Sequence, residues 1–418
     1  MTRLSEVRGV RPLLAAEVTS SFASSVQAVA VPWLVLRQGG GAGEVGLVTA
    51  VELFALLTAG LPLGVVAHRL GSRRWLLASN SGRAVLVGVV AVLGALEALP
   101  FGLLLGLVAI IGALWAPTAG SQQDLLARFV AAEPDLLSRA TSLLQSANRL
   151  AITLGPAIAG LLVNALAPSG ALGLTAATCA TVVGVVRFAV PIPTTEPAAT
   201  SRPGLTAGVR ELRRDRLVRR WTLGAFFSEA AYQALFVAIP LLALHRFHSG
   251  PAVAGLLDTA FGAGAVSGSL LAAAAAKRAA SKRLILTAKA AQALLFATLA
   301  VNLPLAVALT VLGALGVANG LTNGPSAAIQ IARLAAPLRA SALVASFTFT
   351  MGGGALGSAT AGSVISTRGF TTMFVLATAT LTISWLLYYA GARQADHSPK
   401  PLATRTKPTT AAKRDARQ

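Results

Sequence analysis

Glu17, Ser20, Ser21, Ser24 and Gln27 recur at helical spacing inside an otherwise apolar run near residues 11–36. At 3.6 residues per turn they form one polar stripe on a helix. A second stripe, Glu229, Tyr232, Gln233 and Phe236, sits in the run near residues 221–245 and mixes a carboxylate, aromatic surface and an amide. A charge held within a bilayer costs about 2.5–3.5 kcal/mol on insertion scales. Such stripes are therefore expected to face a water-filled cavity rather than lipid. A carboxylate in partly dry surroundings can bind and release a proton. Glu17 is the first candidate for a coupling or substrate-binding carboxylate and Glu229 the second. The plainer alternative makes either one a structural ion-pair partner. Arg149 lies some eleven residues into its own apolar run, which is about 16 Å along a helix. That depth is comparable to that of Glu17, so a Glu17–Arg149 pair is feasible, and protonation of Glu17 would release it. Glu52 and Asp258 read as gating or packing groups, and Arg83 and Lys289 as long side chains snorkelling to a surface.

The elements that must hold these residues are long apolar helices. The chain is 55% hydrophobic and 12% charged over 418 residues, against about 25% charged in a soluble domain. Twelve apolar runs fall near residues 11–36, 44–68, 74–97, 101–128, 138–166, 170–190, 221–245, 252–276, 282–302, 305–333, 340–367 and 370–390. Each is long enough to cross a bilayer, which takes about 20 residues. The first is too long for a signal-peptide core and shows no convincing cleavage site. The formal net charge of +20 invites a nucleic-acid reading, but its distribution argues against one. Lys and Arg gather in the termini and in alternate connections, and of the other connections only three hold one each, Arg37, Arg246 and Arg368. That bias is expected to place both termini in the cytoplasm. The single Cys179 allows no intrachain disulfide. The histidines are scattered and form no metal site, and no enzyme constellation appears. No phosphate-binding glycine loop is present, so energy is expected from an ion gradient, with no cofactor.

One connection carries a motif. Gly64-Val-Val-Ala-His-Arg-Leu-Gly-Ser-Arg-Arg74 is a basic turn between two apolar runs, and Arg69, Arg73 and Arg74 must stay at a membrane surface. The stretch resembles the loop between helices 2 and 3 of the major facilitator superfamily, Gly-x-x-x-Asp-Arg-x-Gly-Arg-Arg/Lys. Gly64, Arg69, Gly71, Arg73 and Arg74 fall on the pattern, and His68 stands where the family has Asp. The two halves of the chain also resemble each other. Gly112-Ala-Leu is answered by Gly313-Ala-Leu, and Gly155-Pro-Ala-Ile-Ala-Gly160 by Gly357-Ser-Ala-Thr-Ala-Gly362. Arg149 followed by Gly155, Pro156 and Gly160 is similar to multidrug and siderophore exporters of that superfamily, although their basic motif in span 4 is absent here.

The resemblance implies an all-α membrane protein of twelve transmembrane helices in two pseudo-symmetric six-helix bundles. The expected units are a first bundle over 1–190, a cytoplasmic linker over 191–220, a second bundle over 221–390 and a disordered basic tail over 391–418. Within the linker, the stretch from Gly208 to Arg220 reads as an amphipathic basic helix lying on the inner leaflet. Spans 1, 4, 7 and 10 would line the cavity, so that Glu17 and Glu229 face each other across it. Ser121 to Gln123, Asn319, Asn323 and Gln330 would complete the polar lining. In the basic turn, Asp124 is placed to pair with Arg69 or Arg73, while His68 either weakens the lock to the other half, responds to pH, or is simply tolerated. Gly155, Pro156 and Gly160 would serve close helix packing. The function implied is a secondary exporter of small amphipathic molecules by proton antiport, with an importer or uniporter as the alternative and a non-transporting sensor further behind. The partners are then substrate, protons and the lipid bilayer, with no nucleic acid, and the protein is expected to act as a monomer. Ala/Gly/Arg-rich usage points to a high-GC bacterium and its cytoplasmic membrane.

Overall fold

The computed structural model describes residues 9–130, 134–191, 205–275 and 281–397. The first half comprises α1 (Val10–Arg37), α2 (Ala42–Leu70), α3 (Ser72–Ala95), α4 (Phe101–Trp115), α5 (Thr118–Val130) and α6 (Pro134–Phe188). After α7 (Leu205–Arg214) come α8 (Arg216–Leu241), α9 (Pro251–Ala275), α10 (Ser281–Leu299), α11 (Leu305–Arg333) and α12 (Arg339–His397). Among the described residues, 9 helical stretches are long and apolar enough to cross a membrane. Both α6 and α12 are two helices joined across a sharp break, at Ala167 and at Gly369. Each therefore supplies two crossings, and α10, made more polar by Lys282, Arg283 and Lys289, completes the twelve-helix architecture. The expected run 101–128 divides into α4 and α5 at Ala116-Pro117, because Pro117 has no backbone N–H to continue the ladder.

Within the first half, α6 packs on α1 and α3, and α2 packs on α4; within the second, α12 packs on α8, and α11 on α9. The halves meet through α2 against α12 and α6 against α9. Helices in lipid gain little from apolar burial and associate by close packing of small residues. At these two crossings the backbones come very near. A Cβ on Gly46 would lie 2.6 Å from the Ser358 carbonyl oxygen, and one on Gly160 would lie 2.5 Å from that of Pro251. Both contacts lie at the end of the bundle remote from the termini. There a single apolar core runs through both halves, from Trp33 and Val45 to Leu235, Leu257 and Phe374. At the end carrying the termini, each half keeps its own core. Leu13, Leu76 and Leu126 belong to one, and Leu212, Trp221 and Ile285 to the other. The molecule is thus closed at one end and divided at the other. Large side chains such as Leu294 (70% exposed) and Val85 (65%) cover its outside, as a lipid-facing surface requires.

Three expectations are corrected here. The linker helix does not lie free with its apolar side towards lipid. Leu212 is buried in the core of the second half, and Glu211 accepts a hydrogen bond from the Ala335 backbone N–H at 3.0 Å. It is also shorter than 208–220 suggested, since Asp215 ends it and caps α8 by accepting from the N–H groups of Leu217 (2.8 Å) and Val218 (3.0 Å). Its other oxygen holds Arg333 at 2.7 Å. Secondly, the last helix continues past residue 390 to His397, anchored where Trp221 donates to the Tyr388 carbonyl at 3.0 Å and Arg220 to that of Ala390 at 2.9 Å. The remaining tail and the Pro-rich break at 192–204 lie outside the described residues. Thirdly, Arg83 and Lys289 do not snorkel; they are 2% and 5% exposed and point into the protein.

The two reversals offer an internal comparison. Gly369 adopts φ 79° and ψ 177°, while Ala167 adopts φ 60° and ψ 164°, a region nearly reserved for glycine. Holding a Cβ there costs about 1–3 kcal/mol. Ala167→Gly should therefore raise thermal stability in detergent by about 1 kcal/mol, after allowing for glycine's extra chain entropy. An unchanged or lower Tm would refute the strain. At Asp215, replacement by Ala should cost about 1–2 kcal/mol through the lost cap. Asp215→Asn, which can still cap, should cost only the partly exposed ion pair, about 0.2–1 kcal/mol; equal losses for both would show that the cap is not what matters.

Candidate functional site

Between the halves lies a cavity of about 1300 Å³. It reaches from Trp33 and Pro240, beside the shared core, to Leu284 and Ile329 near the divided end. Its wall is largely apolar, with polar groups at a few places. On α1 these are Glu17, Ser20, Ser21, Ser24 and Ser25; on α5, Thr118 and Gln122; on α6, Thr153; on α9, Asp258 and Ser269; on α11, Asn323. Aromatic surface comes from Trp33, Trp115, Phe236 and Phe261. A concave volume of this kind suits a small molecule with an apolar body and a few polar groups.

The structure brings Glu17, Ser21, Ser24, Pro156, Phe236 and Asn323 to this wall. Glu17 is half-buried and accepts a hydrogen bond from the Ser21 hydroxyl at 3.3 Å. Gln27, Glu229, Tyr232, Gln233 and Asn319 are not on the wall. Gln27 turns away to donate to Glu52 Oε1 at 2.9 Å. Gln233 donates to Glu229 at 3.0 Å, and the two pack on α12, where a Cβ on Gly354 would lie 2.9 Å from Gln233 Cγ and 3.2 Å from Glu229 Cγ. Glycine at that place lets α8 settle against α12, which rotates Glu229 out of the cavity. The two glutamates therefore do not face each other across it. Tyr232 is buried between Phe261 and Phe296, with ring centroids 5.6 Å away in each case. Asn319 stands behind Asn323 and accepts its side-chain N–H at 2.7 Å. Of the other residues expected on the lining, Ser121 is buried and Gln123 and Gln330 are not on the wall. The side chain of Arg149, and with it the Glu17–Arg149 pair, lies outside the described residues.

Spans 5 and 8 contribute more wall than spacing suggested. Asp258 and Phe261 are three residues apart on one face of α9, and that pairing of carboxylate and ring was the available signal. Ser25 was also missed. It faces α6, and a Cβ on Gly155 would strike it, so Gly155 brings the two helices together beside the cavity.

Behind the wall, among the described residues, each half buries a cation against a serine of its first helix. Arg83 Nη2 donates to Ser24 Oγ at 3.1 Å, and Lys289 Nζ donates to Ser228 Oγ at 2.8 Å. Ser228 in turn lies 2.8 Å from Ser384 Oγ, and Lys289 sits 5.0 Å from the centre of the Tyr388 ring, a cation–π placement. Glu52 lies in the field of Arg83, and Glu229 in that of Lys289. Each half thus holds its own counter-charge internally.

The basic turn is tied within the first half. Gly71, at φ 82°, separates α2 from α3. Arg73 donates to the carbonyls of Val190 (3.0 Å) and Arg187 (2.8 Å), capping the end of α6. Asp124 does not take Arg69 or Arg73. It accepts from Ser72 at 2.5 Å and from Arg128, its neighbour one turn on, at 2.8 Å. Gly64 has open space where a Cβ would be, and His68, Arg69 and Arg74 are exposed. Gly160 and Pro156 pack against Gly255 of α9.

A family model described as a transmembrane secretion effector, one of the major facilitator families, matches residues 7–413. The chain belongs to that family. It is a multi-pass membrane protein. Among curated proteins it is similar to the multidrug efflux pump Tap of Mycobacterium tuberculosis, 29% identical over 212 residues, and to that of Mycolicibacterium fortuitum, 28% over 181 residues. Those alignments span 48% and 41% of this chain and 48% and 43% of the pumps, so the chain matches about half the length of these relatives. Among solved structures it superimposes on the nucleoside transporter NupG at TM-score 0.75 and 15% identity, covering 93% of this chain and 99% of that one. It also superimposes on a bacterial homologue of the human lysosomal transporter Spinster, inward-facing and unoccupied. There the TM-score is 0.75 at 13% identity, over 95% and 99% of the two chains. At such identities the likeness shows the fold alone.

The buried charges generate a prediction. Glu52→Gln leaves Arg83 buried without its counter-charge and should lower stability by about 3–5 kcal/mol. The double variant with Arg83→Gln should recover much of that loss. Thermal unfolding of the purified single and double variants measures both, and additive losses would show that the two charges are not coupled.

Proposed function

We propose that this protein is a secondary active exporter of small amphipathic molecules, working by proton antiport in a bacterial cytoplasmic membrane with both termini in the cytoplasm. The observation that carries this reading is the cavity between the two halves: mostly apolar, edged by carboxylates, sealed at one end and bordered at the other by two separate cores. With the termini inside, that is the arrangement that receives a substrate from the cytoplasm or the inner leaflet. Transport then requires the two inner cores to close on each other while the contacts at Gly46–Gly362 and Gly160–Gly255 part. The positive-inside distribution of Arg and Lys supports the orientation. The partial likeness to the Tap efflux pumps supports the outward direction.

In this mechanism Glu17 is the coupling carboxylate. It stands on the wall near the divided end, its hydrogen-bonding neighbours among the described residues are the Ser21 hydroxyl and the Gln122 amide, and proton and substrate compete for it. Ser21 and Gln122 orient it, while Ser24 joins the wall to the buried Arg83. A change of charge at the cavity surface can thereby reach α3.

The test is efflux of fluorescent amphiphiles from energised cells. Cells expressing the wild type should extrude at least one dye faster than empty-vector cells. Both an uncoupler and Glu17→Gln should abolish the difference. Extrusion that survives Glu17→Gln would remove that residue from the coupling role, and uptake in place of extrusion would overturn the direction.

A further inference from the structure

Asp258 and Glu52 each lie in the second helix of their half, about one turn apart in depth, and the structure treats them very differently. Glu52 is supplied with partners: the Gln27 amide at 2.9 Å and the nearby charge of Arg83. Asp258 has none. Its Oδ1 is covered by protein and no donor reaches it, and Lys289, the cation of the same half, is committed to Ser228 and Tyr388. A covered carboxylate oxygen without a donor is costly, and structures retain such groups where something else completes them. Yet Asp258 is not sealed in the core, for it forms part of the cavity wall.

Its surroundings are aromatic. Phe261 follows one turn later on α9 and meets Phe236 of α8 edge to face, with centroids 5.6 Å apart. Both rings line the cavity, as does Trp33 at the same closed end. Among the described wall residues there are two carboxylates, Glu17 and Asp258, and no Lys or Arg. Aromatic faces attract cations, most strongly where water is excluded, and a carboxylate beside them supplies the counter-charge.

We propose that Asp258, with Phe261, Phe236 and Trp33, forms the subsite that binds the positively charged group of an organic cation. The ligand class is then a lipophilic cation, an ammonium, phosphonium or guanidinium group carried on an apolar or aromatic body. The charge sits deep, near the shared core, and the body lies back along the apolar wall towards Ile329. This assignment rests on the reading of the cavity as the transport site, and divides the work between two carboxylates. Asp258 selects the ligand's charge, and Glu17, nearer the divided end, exchanges the proton.

The experiment uses purified full-length protein in detergent and two probes of similar shape. Tetraphenylphosphonium carries a permanent charge and triphenylphosphine oxide carries none. In equilibrium dialysis the wild type should bind the cation at least about tenfold more tightly than the neutral probe. Asp258→Asn should weaken the cation by about tenfold or more and leave the neutral probe within about twofold, the yardstick of an intact cavity. Asp258→Glu should keep most of the preference. A wild type that binds both probes equally overturns the proposal without any variant having to fold. So does an Asp258→Asn protein that keeps the preference, or one that loses both probes together. Binding in detergent needs no gradient, so a protein that fails to export dyes yet prefers the cation would sink the export reading and leave this subsite standing.

Discussion

Two backbone contacts carry the architecture, Gly46 against Gly362 and Gly160 against Gly255. In a bilayer, lipid tails are as apolar as leucine, so burial alone gives two helix bundles no reason to join. What joins them is close van der Waals approach, and that is open only where no side chain intervenes. Because both contacts lie at the same end, the halves are joined there and stand apart at the other. The shared core forms around the contacts, the separate cores form away from them, and the cavity is the space between. A contact made of glycines also holds the backbones together without interlocking side chains.

The cavity wall depends in turn on charges held out of sight. Arg83 and Lys289 would be costly in lipid, and neither escapes to a surface. Each is turned inward to a serine on the first helix of its half and placed in the field of a carboxylate. Such buried pairs add little net stability, but removing one member is expensive. Their effect is to fix the rotation of the first helix in each half about its own axis. In the first half that rotation presents Glu17, Ser21 and Ser24 to the cavity and turns Gln27 away to Glu52. In the second, Glu229 is taken into the bundle, and Asp258 of the next helix is the acid left on the wall. The halves are built alike, and they differ in which carboxylate is left facing the cavity.

The linker and the last helix show the same economy. Leu212 and Trp221 close the core of the second half at the end carrying the termini, and Asp215 joins α7, α8 and α11 through one side chain. The basic turn performs the matching task in the first half, where Arg73 caps α6 and Ser72 meets Asp124. Neither cluster bridges the two halves among the described residues, which fits a molecule whose cores are separate at that end.

Membrane class, the twelve apolar runs, the internal repeat and the family were all legible in the sequence. Each follows from local properties: run length against bilayer thickness, the siting of Arg and Lys, and motifs such as Gly64 to Arg74. The polar stripes were legible as stripes. Which side of each faced the cavity was not, because a helix's rotation is set by its neighbours. Glycines at 353, 354 and 357 let α8 sink into α12 and carry Glu229 with it, and nothing within residues 221–245 encodes that. Arg83 and Lys289 read as snorkelling residues because spacing cannot show that Ser24 and Ser228 stand ready to receive them. Asp258 read as a gating or packing group for the same reason: being without a partner is a property of the whole assembly. Sequence determined which residues must avoid lipid, and tertiary structure alone decided where each could go, since only packed helices specify which buried groups meet and which one is left facing the cavity.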